Sequence, residues 1–269
     1  MTVFNYYAWF VRGKEHAAMC RTSVEAVKRA DPHSRCLVVT DEVSPAWDIP
    51  NAAVSHIGPG MPIMLANLEA QVSALAAAWT DGAESITFLD TDTLLLKPVP
   101  VMGDITFTWR DSIGTDDDGE KVEGIASRMP YNYGVIVARP CIRAFESFIW
   151  MRERIRGMHA NHQSWYGNQL AAAELGGRRP QSGSTIDPRP IPWRLTNVGK
   201  TVNVGKIPCT EYNWTPQSPN DSLDGKYVAH FKGGKRHLME WYAKRMGLGW
   251  YVEAKPKLEL PNLAMVASL

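Results

Sequence analysis

Cysteine is scarce in this 269-residue chain, and long apolar runs are missing from it. Its four cysteines form no close pair, which argues against a zinc site or a disulfide framework. No apolar run approaches the roughly 20 residues that a membrane-spanning helix needs, and the first residues lack the charged-then-apolar pattern of a secretory signal. We therefore expect a cytoplasmic protein with reduced cysteines and no transmembrane segment.

Net charge is also close to zero, at +1, but it is distributed unevenly along the chain. Residues 1–134 contain 10 Lys and Arg against 18 Asp and Glu, whereas residues 135–269 contain 19 against 10. An acidic half that holds a cation and a basic half that faces an anion would give this pattern. Solvated surfaces that differ by chance would give it equally well.

Hydrophobic periodicity predicts alternating strands and helices, which is typical of a Rossmann-like α/β fold with a mixed, mainly parallel central sheet flanked by helices. The predicted strands are residues 3–7, 36–40, 85–89, 104–109, 131–138 and 226–231. The predicted helices are residues 14–30, 64–79, 140–158, 169–175 and 238–246. Residues 176–224 are rich in Pro, Gly, Ser and Thr, so we expect long ordered loops there.

Two acids, Asp90 and Asp92, follow the most apolar of these strands. In open α/β sheets, ligands bind beyond the carboxyl ends of the strands. Alternate residues of an extended segment point to the same side, so both carboxylates can converge on one hard cation such as Mg²⁺ or Mn²⁺. The pattern alone is weak, since about 0.7 Asp-x-Asp matches are expected by chance, and a turn or helix-cap role is the alternative.

A histidine and a basic glycine loop form a second candidate group. His230 ends a predicted strand and precedes Gly233, Lys235 and Arg236. A lone histidine at a strand end is more often a hydrogen-bonded core residue than a ligand. However, glycines let backbone N–H groups approach a phosphate, and neighbouring cations neutralise its charge. Together with the two acids, this loop describes a site for a metal ion and a diphosphate.

Four motifs in this order resemble those of the GT-A fold glycosyltransferases, most closely the family of glycogenin and the bacterial lipopolysaccharide galactosyltransferases. The motifs are Leu89-Asp90-Thr91-Asp92, Asn132-Tyr133-Gly134-Val135, Asn168-Gln169 and His230-Phe231-Lys232-Gly233. The resemblance covers about residues 2–236. It implies that Asp90, Asp92 and His230 bind Mn²⁺ or Mg²⁺, which in turn holds the diphosphate of a nucleotide sugar, most commonly a UDP-sugar.

The same resemblance implies roles for other residues. Asn5, Tyr6 and Tyr7, taken as the carboxyl end of the first strand, would approach the nucleoside, and Thr91 would lie between the metal-binding acids. Asn132, Tyr133 and Gly134 would contact the transferred sugar or the acceptor, with a simple turn as the alternative for Asn132. A single GT-A domain is expected over residues 1–269. It would comprise a nucleotide-sugar half at about 1–110, an acceptor half at about 125–236, and a terminal helix and tail at 237–269.

Two positions depart from the family pattern. Asn168-Gln169 stands where the family usually has Asp-Gln, and an amide can be neither a general base nor a covalent nucleophile at neutral pH. These two residues remain catalytic and sugar-binding candidates beside the acids, although Asn168 would also suit a helix N-cap. In the glycine loop, Lys235 falls one place before the family lysine and Arg236 occupies its position. Either cation could meet the diphosphate.

The function expected from this reading is metal-dependent transfer of a sugar from a nucleotide sugar to a hydroxyl acceptor. The acceptor could be a saccharide or, given the basic half and its aromatic residues, a hydroxylated base in DNA. A nucleotidyltransferase, which also uses paired acids and a metal, and a non-catalytic nucleotide-sugar-binding protein are the alternatives. The aromatic residues considered for stacking are Trp165, Tyr166, Trp193, Tyr212 and Trp214.

Overall fold

The computed structural model describes residues 4–41, 49–110, 131–157, 167–176, 191–194 and 201–251. These residues form ten strands and six α-helices. The strands are β1 Asn5–Val11, β2 Arg35–Thr40, β3 Ala53–His56, β4 Ser85–Leu89, β5 Thr93–Leu95, β6 Ile105–Trp109, β7 Tyr131–Ala138, β8 Ile191–Arg194, β9 Thr201–Pro208 and β10 Val228–His230. The helices are α1 Lys14–Ala30, α2 Ile63–Thr80, α3 Ile142–Gly157, α4 Gly167–Leu175, α5 Cys209–Tyr212 and α6 Arg236–Arg245.

Eight strands form one central sheet in the order β3-β2-β1-β4-β7-β6-β9-β8. The pairings among β3, β2, β1 and β4 are parallel, as is that of β6 with β9. Strand β7 runs antiparallel to both of its neighbours, and β8 runs antiparallel to β9. The expected α/β class, a Rossmann-like mixed sheet that is mainly parallel, is therefore confirmed.

Helices cover both faces of this sheet, which explains why its central strands are apolar throughout. All five residues of β4 and all eight of β7 are buried. Alternate residues of β1 enter different cores: Ala8 packs with the residues of α2, α3 and α4, whereas Trp9 packs with those of α1. The site residues discussed below are thus placed between two helical layers.

A small second sheet lies next to the end of β4. Strand β5 pairs antiparallel with β10, so that Thr93 lies opposite His230. Helix α6 packs against this pair through a core that includes Leu94, Phe231 and Tyr242. The small sheet therefore brings a segment from near residue 230 to the carboxyl end of the central strand.

Several elements differ from the sequence-based expectation. The expectation of loops throughout residues 176–224 is wrong for β8, for β9, which pairs in parallel with β6, and for the short helix α5. Strand β3 is not among the predicted strands, since it lies between the strand predicted at residues 36–40 and the helix predicted at residues 64–79. Strand β9 was missed because its pairing with β6, about one hundred positions earlier, is a tertiary contact without a local signal. None of the helices in the described ranges is long and apolar enough to cross a membrane.

Candidate metal centre

Asp90 and Asp92 lie on a tightly held turn between β4 and β5. The Asp90 N–H donates to the Gly134 carbonyl of β7 at 3.0 Å, and the Thr93 hydroxyl donates to the Asp90 carbonyl at 2.7 Å. The Asp92 carbonyl accepts from the Phe231 N–H at 2.8 Å. The turn is therefore fixed to the central sheet on one side and to β10 on the other.

His230 completes a cluster with these two acids. Its Nε2 atom lies 3.1 Å from Asp92 Oδ1 and 3.4 Å from Asp90 Oδ2. One ligand atom from each of the three residues lies within 4.8 Å of the others. The sequence-based expectation that these residues come together as a possible metal site is confirmed.

The two carboxyl groups have different electrostatic surroundings. Burial opposes ionisation of Asp92, but His230 and Arg236 outweigh it and hold the pKa of Asp92 well below its usual range. Asp90 exposes 46% of its side chain to the adjoining cleft and is enclosed by protein on its other sides. This desolvation raises the pKa of Asp90 although His230 opposes it, and the charge of Asp92 adds to the rise. A bound cation would offset the repulsion between the two carboxylates, which contributes to the raised pKa of Asp90.

Asn213 orients the histidine, and the sequence analysis missed it. Its Oδ1 atom lies 2.7 Å from His230 Nδ1, and its Nδ2 atom donates to the Thr108 hydroxyl at 2.9 Å. Because an amide oxygen can only accept, the proton of a neutral His230 belongs on Nδ1, and the lone pair of Nε2 faces the acids. Asn213 is fully buried at the end of α5. No pattern in the sequence marks it, since its role depends on tertiary contacts.

Gly134 makes room for the His230 ring. A Cβ atom at this position would lie 2.1 Å from His230 Cε1 and 3.0 Å from Asp90 Oδ2. Gly134 lies inside β7, where the pairing register with β6 shifts, so Asn132 belongs to an irregular strand and not to a connecting turn. The shift is a bulge in the strand, and Asn132 Oδ1 supports it by accepting from the Gly134 N–H at 3.0 Å.

A cleft of about 530 Å³ opens above the cluster. The expected residues that line it are Asp90, Thr91, Asp92, Asn132, Tyr133, Gly134, Asn168, Gln169, His230, Gly233 and Arg236. The lining residues to which the sequence analysis gave no role of their own are Phe10, Arg12, His16, Ile63, Met64, Asn67, Arg110 and Lys232. We call this space the central cleft.

Asn5, Tyr6 and Tyr7 are not among the residues that line the central cleft, and the expectation that they end the first strand is wrong. They begin β1, which continues to Val11 because the apolar run does not stop at Tyr7. The Asn5 amide donates to Asp31 at 2.8 Å and accepts from Ser85 at 2.9 Å, level with the start of β4. The carboxyl end of β1 instead brings Phe10 and Arg12 to the central cleft.

Basic side chains lie beside the acids on the side of α1 and α6. Arg236 donates from Nε to Asp92 at 3.0 Å, and His16 Nδ1 lies 2.9 Å from the Thr91 hydroxyl. Lys232 also lines the central cleft, whereas Lys235 does not and its charge acts on Asp221. Of the two candidates in the glycine loop, Arg236 is the one placed beside the acids.

Asn168 and Gln169 lie in the first turn of α4. Asn168 Oδ1 accepts from the backbone N–H of Gln169 at 2.9 Å, and α4 begins one residue earlier, at Gly167. Asn168 therefore lies inside the helix, and the alternative N-cap position, before the first turn, is not the one it occupies.

Comparison of the chain with protein-family models finds no match, and comparison with curated proteins finds none either. The geometry of the central cleft and the motifs of the sequence thus carry the functional argument.

Proposed function

We propose that this protein is a metal-dependent glycosyltransferase that uses a nucleotide sugar, with a UDP-sugar as the first candidate. The observation that carries the proposal is the Asp90–Asp92–His230 cluster at the carboxyl end of the central strand, open to a cleft that also contains cations. The order of the four sequence motifs, which resembles that of the GT-A fold glycosyltransferases, supports the same conclusion.

The three side chains suit Mn²⁺ or Mg²⁺ as the cofactor. Two carboxylates and one imidazole favour Mn²⁺, because carboxylates suit hard divalent ions and the imidazole adds a borderline ligand. When bound, such an ion supplies Lewis acidity to the departing diphosphate. Asp90, Asp92 and His230 would hold it, and Asn213 would keep the His230 lone pair directed toward it.

Arg236 and Lys232 would neutralise the diphosphate as it leaves. Both line the central cleft, and Arg236 already contacts one of the acids. A fixed, desolvated positive group that faces developing negative charge contributes roughly 3–4 kcal/mol to transition-state stabilisation. The basic groups therefore act on the leaving group and do not need to move a proton.

The residues near the sugar position bear on the stereochemical route. Asn168 and Gln169 are amides, so neither can form a glycosyl-enzyme intermediate or act as a general base. If the transfer retains the anomeric configuration, the route consistent with these residues is a front-face one, in which the acceptor hydroxyl attacks from the side that the diphosphate leaves. The departing phosphate then accepts the proton of that hydroxyl.

The deciding experiment measures nucleoside diphosphate release from a panel of nucleotide sugars, with Mn²⁺ and with EDTA. We expect metal-dependent release from at least one donor, and we expect Asp92→Ala to abolish it. Asp224→Ala, which removes an exposed acid outside the central cleft, is the matched control. Pyrophosphate release from a nucleoside triphosphate would instead identify a nucleotidyltransferase. Tight donor binding without turnover would identify a binding protein.

A hydroxylated base in DNA is a second candidate acceptor beside a saccharide. Tyr212 and Tyr227 stack with ring centroids 4.2 Å apart, and Lys97 lies 5.6 Å from the Tyr227 ring. An exposed cation beside partly buried aromatic rings suits a nucleic acid, for which binding should weaken steeply as salt rises. If the protein does not bind duplex DNA at low salt, a saccharide remains as the candidate acceptor.

A further inference from the structure

Three buried side chains form a line of hydrogen bonds that ends at the main-chain carbonyl of Asp90. The indole N–H of Trp9 on β1 donates to the Ser23 hydroxyl of α1 at 3.0 Å. The Ser23 hydroxyl lies 3.3 Å from the Thr93 hydroxyl of β5, which donates to the Asp90 carbonyl at 2.7 Å. Trp9, Ser23 and Thr93 are all buried, and none of them lines the central cleft. We call these three side chains the Ser23 network.

The chemistry of the groups fixes the direction of every hydrogen bond in the Ser23 network. An indole nitrogen can only donate, so Ser23 Oγ accepts from Trp9. A carbonyl oxygen can only accept, so the Thr93 hydroxyl uses its single proton on Asp90. The Ser23 hydroxyl must therefore donate its own proton to Thr93 Oγ1. Since all three donors point the same way, each bond polarises the next and strengthens the last one, at the Asp90 carbonyl.

Asp90 is held by both of its main-chain polar groups. Its N–H donates to the Gly134 carbonyl, and its carbonyl accepts from Thr93. The main-chain orientation of Asp90 decides where its carboxylate points, and the negative charge of Asp92 acts against that carboxylate. Thr93 also lies opposite His230 in the pairing of β5 with β10. The same residue thus connects the first acid to the strand that carries the imidazole.

Packing alone does not require hydroxyl groups at positions 23 and 93. Trp9 belongs to one apolar cluster, and Leu94, the neighbour of Thr93, belongs to another. Valine would fill the volume of Thr93 without a polar atom, and apolar groups of the same shape can replace buried hydrogen-bonding groups at little cost in stability. A buried polar network whose members all have partners instead specifies one geometry. The hydroxyls therefore suit a positioning role.

We propose that Ser23 and Thr93 are positioning residues of the metal centre, which hold Asp90 in the place relative to His230 that a divalent ion requires. Ser23 acts only through Thr93, and Thr93 acts on the Asp90 carbonyl. Neither side chain lines the central cleft, so neither contacts the substrate. This inference rests on the metal centre of the proposed function but not on the transfer of a sugar.

The test separates the hydroxyl group of Thr93 from its volume. Thr93→Val keeps the volume and removes the hydroxyl, whereas Thr93→Ser keeps the hydroxyl and removes a methyl group. Electron paramagnetic resonance of free Mn²⁺ gives the metal affinity of each variant, and urea unfolding without metal gives its stability. Thr22→Val is the matched control, because the buried Thr22 hydroxyl on α1 also donates to a main-chain carbonyl, that of Gly249 at 3.0 Å. Neither Thr22 nor Gly249 lines the central cleft.

We expect Thr93→Val to weaken Mn²⁺ binding about tenfold, because loss of a group that orients a metal ligand lowers affinity by this order. Thr93→Ser should bind Mn²⁺ within about twofold of the natural protein, although deletion of its buried methyl group lowers its stability. Thr22→Val should bind Mn²⁺ as the natural protein does, whatever its stability. A role in packing alone would not separate metal affinity from stability in this way.

Ser23→Ala tests whether Ser23 acts through Thr93. Alone, it should weaken Mn²⁺ binding about threefold, because Thr93 keeps its bond to Asp90 but loses the donor that polarises it. In the double variant Ser23→Ala/Thr93→Val, the loss of affinity should equal that of Thr93→Val alone, since coupled residues are not additive. Ser23→Ala also keeps the inference testable if Thr93→Val fails to fold.

Three results would overturn the inference. Mn²⁺ binding of Thr93→Val at the natural affinity, or an equal loss in Thr93→Ser, would show that the hydroxyl does not position Asp90. Unchanged Mn²⁺ binding in Ser23→Ala would remove the role of Ser23. Losses that multiply in the double variant would show that Ser23 acts independently of Thr93.

Failure of the inference is distinct from failure of the proposed function. If the natural protein binds no Mn²⁺, the metal centre itself is wrong, and the inference falls with it. If the natural protein binds Mn²⁺ and the variants behave as expected, but no nucleotide sugar releases its diphosphate, the positioning role stands and the proposed sugar transfer is overturned.

Discussion

The Nδ1 atom of His230 is 2.7 Å from Oδ1 of the fully buried Asn213. This contact joins the candidate metal ligand to Thr108 of β6, since the Asn213 amide also donates to the Thr108 hydroxyl. The Thr108 hydroxyl in turn donates to the Asn132 carbonyl at 2.9 Å. The imidazole is therefore oriented by the central sheet as well as by its own short strand.

Replacement of Asn213 by leucine should weaken Mn²⁺ binding by about 10- to 100-fold, because the ring loses the acceptor that sets its tautomer and orientation. Asn213→Asp keeps an acceptor and should restore most of the affinity. Electron paramagnetic resonance of free Mn²⁺ measures both affinities directly. If the leucine variant binds as tightly as the natural protein, the contact does not orient the ligand.

Alanine at position 134 should disrupt the cluster, because its Cβ would lie 2.1 Å from the His230 ring. We expect a loss of about 1–3 kcal/mol in the free energy of unfolding, measured in urea, together with at least tenfold weaker Mn²⁺ binding. Gly58→Ala is the matched control, since a Cβ there meets only Met61 Cε at 3.7 Å. Equal stability of the two variants would contradict the steric argument.

Stability should depend on pH through Asp104, which is not among the residues that line the central cleft. Burial opposes its ionisation, but two hydrogen bonds from Arg143 and one from the Asn203 N–H outweigh burial and lower the pKa of Asp104. A carboxyl group whose pKa is lower in the folded than in the unfolded protein stabilises the fold at pH values above its unfolded-state pKa of about 4. That contribution disappears as the pH falls toward the folded pKa.

Asp104→Asn should therefore cost about 2 kcal/mol in the free energy of unfolding at pH 7, and the difference from the natural protein should narrow near pH 3. Urea unfolding at both pH values provides the measurement. Asp224→Asn, an exposed acid, should change neither value appreciably. If Asp104→Asn lowers the free energy of unfolding by the same amount at both pH values, Asp104 acts through packing and not through its charge.

The two cations of the glycine loop should differ in their effect on diphosphate binding. Arg236→Ala removes the guanidinium beside Asp92 and should weaken UDP binding at least tenfold in the presence of Mn²⁺. Lys235→Ala should change it by less than about threefold, because this side chain does not line the central cleft. Titration calorimetry measures both affinities. A larger loss of UDP affinity in Lys235→Ala than in Arg236→Ala would show that Lys235, and not Arg236, meets the diphosphate.

The sequence predicted the parts of the site that follow from local patterns. Asp90 and Asp92 were found because an apolar run ended at them, and His230 because it ended a second run before a glycine pair. Helix α1 was predicted with the bounds that the structure has, from its apolar spacing. Local periodicity was sufficient wherever one element determined the outcome.

Residues whose roles depend on distant partners could not be predicted. Asn213 acts through a contact with a residue 17 positions away, and Asn67 belongs to the central cleft only because α2 lies over the sheet near β4. The start of β1 was mistaken for its end, since Tyr6 and Tyr7 continue into an apolar run whose length the pattern does not limit. Strand β9 was overlooked for a similar reason: Gly205 and Lys206 interrupt its apolar spacing, and its pairing with β6 compensates.

The contact between His230 and Asp92 spans 138 positions of the chain. During synthesis, β1 to β7 leave the ribosome well before the strand that carries His230. The growing chain thus has two carboxylates at the end of β4 but no imidazole beside them. The ligand set can form only after residue 230 has been made. A divalent ion that binds the finished cluster would cross-link the early and late parts of the chain, so incomplete chains that end before residue 230 should fail to retain it.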